Sequence, residues 1–181
     1  MKNSVFQTDN HSSVERLDKI IVEGLCQLHP SLADHPWYIR ERDVVSLFAV
    51  NYLAPLFENE RLHRTMLGVE VPVLQVEEEG EHRKFGAHKD LVVWCKPWDT
   101  LWRGCSLIPK KPYKDYRLEG TRPFAVLEWK NISSILRSVC TIDKDRAKSI
   151  KWLKANLKES MFTVGYCILV DQRNSVKLDL R

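Results

Sequence analysis

The stretch FAVLEWKNIS, residues 124–133, is an apolar run interrupted at its centre by two opposite charges, Glu128 and Lys130. The run has the length and composition of a buried strand. Because side chains alternate along a strand, Glu128 and Lys130 project to the same face, about 7 Å apart. An ionised carboxylate in an apolar interior costs several kcal/mol unless it is paired or binds a cation. The two residues are therefore either a salt bridge on a half-exposed strand or part of a site for a metal ion or a phosphate.

The remainder of the chain has the composition of one globular domain. It has 181 residues, of which 44% are apolar and 29% are charged, enough to bury a core without disulfide bonds. No apolar stretch approaches the roughly 18 to 20 residues of a membrane helix. The polar start predicts a disordered tail over residues 1–13, followed by a single domain over residues 14–181 in a cytoplasmic protein without membrane association.

The cysteines do not follow a metal-binding pattern. They are odd in number and form no C-x-x-C pair, and no histidine stands at ligand spacing from any of them. This arrangement favours buried free thiols over a zinc site.

The charges are distributed unevenly along the chain. Residues 1–80 contain 7 Lys and Arg against 13 Asp and Glu, whereas residues 81–181 contain 21 against 11. A basic C-terminal half is typical of proteins with an anionic partner, most often nucleic acid, although ordinary solvated faces give the same count.

Hydrophobic periodicity predicts the order α-α-β-β-β-α-β-β. The first helix is expected to end at His29 and Pro30, and the second to begin with Asp34 as N-cap and to be disturbed at Pro55. A connection of 28 residues, 96–123, is basic and aromatic and interrupts the strands. The predicted elements are helices 14–29 and 34–57, strands 68–79, 89–95 and 124–129, helix 143–160, and a hairpin of 162–172 and 175–181.

A second acid is expected close to Glu128. Asp90 begins the strand DLVVW, and pairing of this strand with residues 124–129 brings the two carboxylates together. Asp115 is the rival for this role, but no strand follows it. Adjacent carboxylates repel unless they share a cation, and Mg²⁺ prefers such oxygen ligands while retaining waters.

Asp90, followed by Glu128-x-Lys130 on the next strand and preceded by a helix with the early acid Glu41, resembles the motif of the PD-(D/E)xK nuclease superfamily. The resemblance covers residues 34–181 and implies a restriction-endonuclease-like α/β fold. In that fold an αβββαβ core forms a central mixed sheet flanked by helices, here with an extra N-terminal helix. Two departures from the family pattern are visible. Lys89 stands where the family has a proline, and the gap between Asp90 and Glu128 is long.

The resemblance also implies roles for these residues. Asp90, Glu128 and the carbonyl of Trp129 are expected to hold one or two Mg²⁺ or Mn²⁺ ions, with Glu41 as an outer acid of the metal site. Glu70 competes with Glu41 for that last role, and surface ion pairing is an alternative for Glu41. Lys130 is expected to position or activate the attacking water, or to stabilise charge in the transition state.

Basic side chains provide candidate contacts to nucleic acid. Lys144, Lys148 and Lys151 are stacked on one side of the predicted helix 143–160, and Lys110 and Lys111 lie among the aromatic residues of the 96–123 insert. The predicted function is hydrolysis of phosphodiester bonds in DNA of unspecified form. The oligomeric state is left open, with a homodimer as one possibility. The alternatives are an inactive nucleic-acid-binding module of the same fold, and an assembly protein that uses the insert as its interface.

Overall fold

The computed structural model describes residues 6, 11–34, 41–73, 87–97, 123–132, 139–158, 162–171 and 179–180. The helices in these ranges are α1 (His11–Asp34), α2 (Glu41–Leu47), a π-helical turn (Phe48–Leu53), α3 (Ala54–Asn59), a 3-10 turn (Arg64–Met66) and α4 (Val139–Lys158). The strands are β1 (Leu67–Val73), β2 (Ala87–Val93), β3 (Ala125–Ile132), β4 (Val164–Asp171) and β5 (Asp179–Leu180). The predicted order of elements is confirmed, with the second helix divided into three segments.

The five strands form one mixed sheet in the order β1-β2-β3-β4-β5. Strands β1, β2 and β3 are mutually antiparallel, β4 is parallel to β3, and β5 is antiparallel to β4. Helix α4 makes the crossover between the two parallel strands, as a parallel pair requires. The chain is therefore an α/β domain with a mixed sheet and flanking helices. The antiparallel pairing predicted for its last two strands is confirmed, while the predicted turn at residues 173–174 lies outside the described residues.

Helix α1 is longer than its sequence pattern predicts. The apolar stripe Leu17, Ile21, Leu25 and Leu28 is buried as expected. The helix nevertheless continues through Pro30 to Asp34, so the predicted end at His29 is wrong. Proline removes one hydrogen bond from a helix interior. Beyond Pro30, burial of Leu32 and a 2.5 Å hydrogen bond from the Tyr52 hydroxyl to Ser31 Oγ stabilise the last turn.

The second predicted helix begins later than expected and changes its winding. Asp34 is the last residue of α1 rather than the N-cap of α2, because α1 extends that far. The disturbance predicted at Pro55 is confirmed as a π-helical turn over Phe48–Leu53, after which Pro55 lies in the first turn of α3. Within that turn the Ala54 N–H donates to the Ala49 carbonyl, five residues earlier. Proline has no N–H to donate, so wider winding before it costs little.

The N-terminal segment differs from the predicted tail. Helix α1 begins at His11, inside residues 1–13. Phe6 is buried and stacks on Phe124 with ring centroids 4.7 Å apart, and it meets the Phe57 ring edge-on. An aromatic side chain buried in this way contributes to the core despite its polar neighbours in the sequence.

The sheet separates two sets of buried side chains. One face, called the helix-layer face here, packs against α1, α2, the π turn and α3, and it receives Leu91, Leu127 and Trp129 from the strands. The other, called the α4 face, packs against α4 and receives Val92 and Val126. Alternation along β2 and β3 explains the division.

Helix α4 has the amphipathic character expected of it. Leu153 is buried, and Ile150 and Leu157 are half-buried against the sheet. The predicted basic side is confirmed as solvent-facing, since four of its lysines are exposed: Lys144, Lys148, Lys151 and Lys158.

Two further expectations concern cysteines and membranes. Cys95 and Cys167 are buried as predicted, but Cys26 is exposed because it lies on the outer side of α1. Cys105 lies outside the described residues, as does the side chain of Cys140. No helix within the described ranges is long and apolar enough to cross a membrane.

Candidate functional site

A kink in β1 and β2 creates the site. The register of the two strands skips the pair Glu70 and Asp90, although pairs form on either side, and Glu70 has a φ of 54°. Before the kink Val69 packs on the helix-layer face, whereas beyond it Val71 packs on the α4 face. The side chains thus exchange faces at this point. Strict alternation from Leu91 and Val93 would place Lys89 on the helix-layer face; the exchange places it on the α4 face instead.

Asp90 lies where β2 and β3 separate. The described ladder between these strands ends at Leu91 opposite Leu127. One residue further on, Asp90 Oδ2 accepts a 2.6 Å hydrogen bond from the backbone N–H of Trp129. A carboxylate thus replaces the carbonyl that a continuous ladder would supply to this N–H. The separation of the strands leaves room at Asp90 for charged groups from β3 and α2.

The environment of Asp90 favours its protonated form. Burial raises the pKa of this carboxyl to about 6, opposed by the Trp129 N–H bond, which stabilises the charged form. The nearby charge of Glu128 raises the pKa further, Lys130 lowers it, and Glu41 raises it. A carboxylate whose pKa is raised by burial and by other carboxylates is typical of functional sites, although structural networks produce the same effect.

Lys130 connects β3 to the start of α2. Its Nζ donates to the Trp129 carbonyl at 2.7 Å and to Glu41 Oε1 at 3.3 Å. Burial alone would lower the pKa of Lys130, but the carboxylates of Glu41, Asp90 and Glu128 outweigh it and hold the pKa above its ordinary value. Lys130 is therefore a protonated cation at neutral pH, bound to two oxygens that the resemblance assigns to a metal site.

Glu128 pairs with Lys89 and not with Lys130. Lys89 Nζ lies 2.6 Å from Glu128 Oε1, and the side chains are only 8% and 11% exposed. The contact is an ion pair in which Oε1 accepts no hydrogen bond. The Lys89 ammonium also lies 3.5 Å from the centre of the Trp152 ring, which belongs to α4. Glu128 and Lys130 thus pair with separate partners, Lys89 and Glu41, rather than with each other.

The predicted residues fall into three groups. Asp90, Glu128, Lys130 and Glu41 act on one another's charge at the kink, together with the carbonyl of Trp129. Lys144, Lys148 and Lys151 are exposed on α4, and Glu70 is exposed at the kink. Lys110, Lys111 and Asp115 lie outside the described residues.

Sequence reasoning noted Lys89 only as a departure from the family motif. Its role depends on the exchange of faces at the kink, which no periodicity signals. The available signal was a lysine next to Asp90 at the start of the otherwise apolar run LVVW.

The donor set agrees with Mg²⁺ in its chemistry. Mg²⁺ is commonly bound by one or two carboxylates, with water in its other positions. Asp90 and Glu128 offer carboxylate ligands, whereas the Trp129 carbonyl already accepts from Lys130; a cation would offset the Glu128 repulsion that adds to burial in raising the pKa of Asp90. In the described ranges, no group of three or more His, Cys, Asp or Glu side chains is gathered closely enough to hold a metal ion.

No family model, curated protein or solved structure matches this chain. The interpretation of the site therefore depends on its own geometry and chemistry.

Proposed function

We propose that the chain is a nuclease of restriction-endonuclease-like fold that hydrolyses phosphodiester bonds in DNA and uses Mg²⁺ or Mn²⁺. The observation that carries the proposal is the meeting of Asp90, Glu128, Lys130 and Glu41 at the point where two strands separate. The element order gives further support, because helices are followed by three antiparallel strands, a crossover helix and a parallel strand. That order is the αβββαβ core which the family resemblance implies.

In this proposal Asp90 and Glu128 would hold the divalent ion. When bound, such an ion would supply a Lewis acid for the scissile phosphate and lower the pKa of a coordinated water. Asp90 is held for this role by the Trp129 N–H bond. Glu128 is oriented by Lys89.

Lys130 acts as a cation and not as a general base. The carboxylates around it keep its pKa above the ordinary value, so it carries a proton at neutral pH. A protonated lysine can stabilise the negative charge that develops on the phosphorus oxygens in the transition state. Glu41 holds the Lys130 ammonium at the site through the 3.3 Å contact.

The exposed lysines of α4 supply contacts to the DNA backbone. Lys144, Lys148 and Lys151 are spaced by four and three residues and lie on one side of the helix. The inner side of the same helix contacts Lys89 through Trp152. The proposed phosphate contacts and the proposed metal site are therefore on the same packed unit.

Cleavage assays on plasmid, single-stranded and branched DNA test the proposal. Asp90→Asn should abolish cleavage in Mg²⁺ or Mn²⁺ and remove any metal-induced rise in melting temperature, because the loss of a ligand weakens the linkage between binding and folding. Lys130→Ala should leave metal binding largely intact and reduce turnover by roughly 10² or more, the scale of one lost transition-state donor.

Glu70→Gln is the matched control, because Glu70 lies at the same kink but its side chain is exposed to solvent. It should cut as the wild type does. Wild-type protein that binds DNA but neither binds Mn²⁺ nor cleaves any of these substrates would identify an inactive binding module instead.

A further inference from the structure

Lys89 is a buried cation inside the proposed metal site. Its side chain is 8% exposed, and its ammonium contacts one oxygen of Glu128 and the face of the Trp152 ring. Burying a lone ammonium is costly, so a buried lysine requires a fixed countercharge. The contacts on both sides hold Lys89 in place, in the residue position immediately before Asp90.

The charged groups that interact at the site limit how many metal ions it can hold. The three carboxylates are those of Glu41, Asp90 and Glu128, and the two ammonium groups are those of Lys89 and Lys130. When all are ionised, one net negative charge remains. One divalent ion leaves a single positive charge, which one phosphodiester group balances. Two divalent ions would leave three positive charges in a largely buried site, and uncompensated buried charge is strongly unfavourable.

We propose that Lys89 is a positioning residue that serves as the permanent countercation of Glu128, so that the site binds a single divalent ion. The proposal rests on the function proposed above. Lys89 holds Oε1 of Glu128, and its ammonium would supply the compensating charge that a second divalent ion would otherwise supply. The departure of Lys89 from the family motif then has a chemical consequence, the number of ions bound.

Counting bound Mn²⁺ on the full chain tests the proposal without requiring activity. Electron paramagnetic resonance of free Mn²⁺ and isothermal titration calorimetry both give the stoichiometry. Wild-type protein should bind one Mn²⁺, and Lys89→Met should bind two, because Glu128 then has both oxygens and its full charge available. Asp90→Asn should bind none, which assigns the counted ion to this site. Lys154→Met, at an exposed lysine of the same helix, is the matched control and should still bind one.

The other outcomes separate this proposal from the proposed function. Two ions on the wild type would overturn the single-ion proposal and leave the nuclease proposal standing. No ion on the wild type would overturn both. One ion on Lys89→Met, bound with unchanged affinity, would show that Lys89 only fastens α4 to the sheet.

A second pair of variants decides the question if Lys89→Met does not fold. Glu128→Gln leaves the Lys89 ammonium without its countercharge and should weaken Mn²⁺ binding at least tenfold. Lys89→Met/Glu128→Gln removes that repulsion and should regain part of the affinity. Equal affinities of Glu128→Gln and the double variant would overturn the proposal.

Discussion

The helix-layer face of the sheet is dominated by apolar side chains, whereas the α4 face combines a small apolar cluster with buried charge. Lys89 and Glu128 are buried between the sheet and α4, and α4 itself buries Ser149 and Asn156. On the helix-layer side the large buried side chains include Phe48, Phe57 and Trp129. The comparison indicates that one face supplies most of the stability and the other tolerates the polar groups of the candidate site.

Burial of the Lys89 and Glu128 pair is consistent with this difference between the two faces. A buried ion pair contributes little net stability compared with apolar side chains of the same volume. The Lys89 and Glu128 pair is therefore better explained by a site than by a requirement of the fold. The extensive apolar packing on the helix-layer face offsets the desolvation cost of burying this charged pair.

Replacing one tryptophan on each face measures the largest expected difference in stability between the two faces. Trp129 is fully buried against Phe48 on the helix-layer face, and Trp152 is half-buried on the α4 face. Trp129→Ala should lower the free energy of unfolding by about 3–5 kcal/mol, the usual cost of removing a large core aromatic. Trp152→Ala should cost less than half as much, as measured by urea denaturation. Val50→Ala, at an exposed site, provides the control and should stay within about 0.5 kcal/mol of the wild type. Equal losses at the two tryptophans would contradict the division of roles between the faces.

The pH dependence of stability tests the charged face. The pKa of Asp90 is raised from 3.8 to about 6 in the folded protein, so between these values the folded state binds more protons than the unfolded state. Stability contributed by this group is present below pH 3.8 and is lost as the pH rises through about 6. At 1.36 kcal/mol for each pKa unit, the loss amounts to about 3 kcal/mol at most.

Asp90→Asn removes this titration and keeps the shape of the side chain. The variant should be more stable than the wild type above pH 6, and the difference should disappear near pH 4. Urea denaturation at several pH values measures it, with the exposed Glu70→Gln as control. A difference that is independent of pH would show that Asp90 is not held in the environment described here.

The smallest effect on stability is expected at the outer side of α4. Substitution of Lys144, Lys148 and Lys151 by Gln should change the free energy of unfolding by less than about 0.5 kcal/mol, because all three are exposed. If they contact phosphates, DNA affinity should fall for every sequence, and the salt dependence should flatten by about 0.9 log units for each lost contact. Fluorescence anisotropy over a range of salt concentrations measures both quantities. Lys19→Gln/Arg64→Gln removes exposed positive charge away from α4 and should leave the slope unchanged.

Local sequence pattern was sufficient for the order of the elements and for singling out Asp90, Glu128 and Lys130 as candidates, but it did not assign a role to Lys89. The stripe of Leu17, Ile21 and Leu25 has the helical period, and the alternation of β3 predicts which of its buried side chains share a face of the sheet. Glu128 and Lys130 stand out because charge interrupts an apolar strand. Such signals lie within a few residues of one another, so they can be recognised before the chain is folded.

Only the tertiary structure decided the boundaries and the pairing of charges. Helix α1 continues past Pro30 because Leu32 is buried and Ser31 accepts a hydrogen bond from Tyr52. Both contacts involve distant parts of the chain. Lys89 reaches Glu128 because the kink opposite Glu70 turns it to the α4 face, where the Trp152 ring receives its ammonium. Lys130 pairs with Glu41, which is 89 residues away. The energy of an ion pair depends on distance and burial in space, and the spacing of residues along the sequence does not contain either quantity.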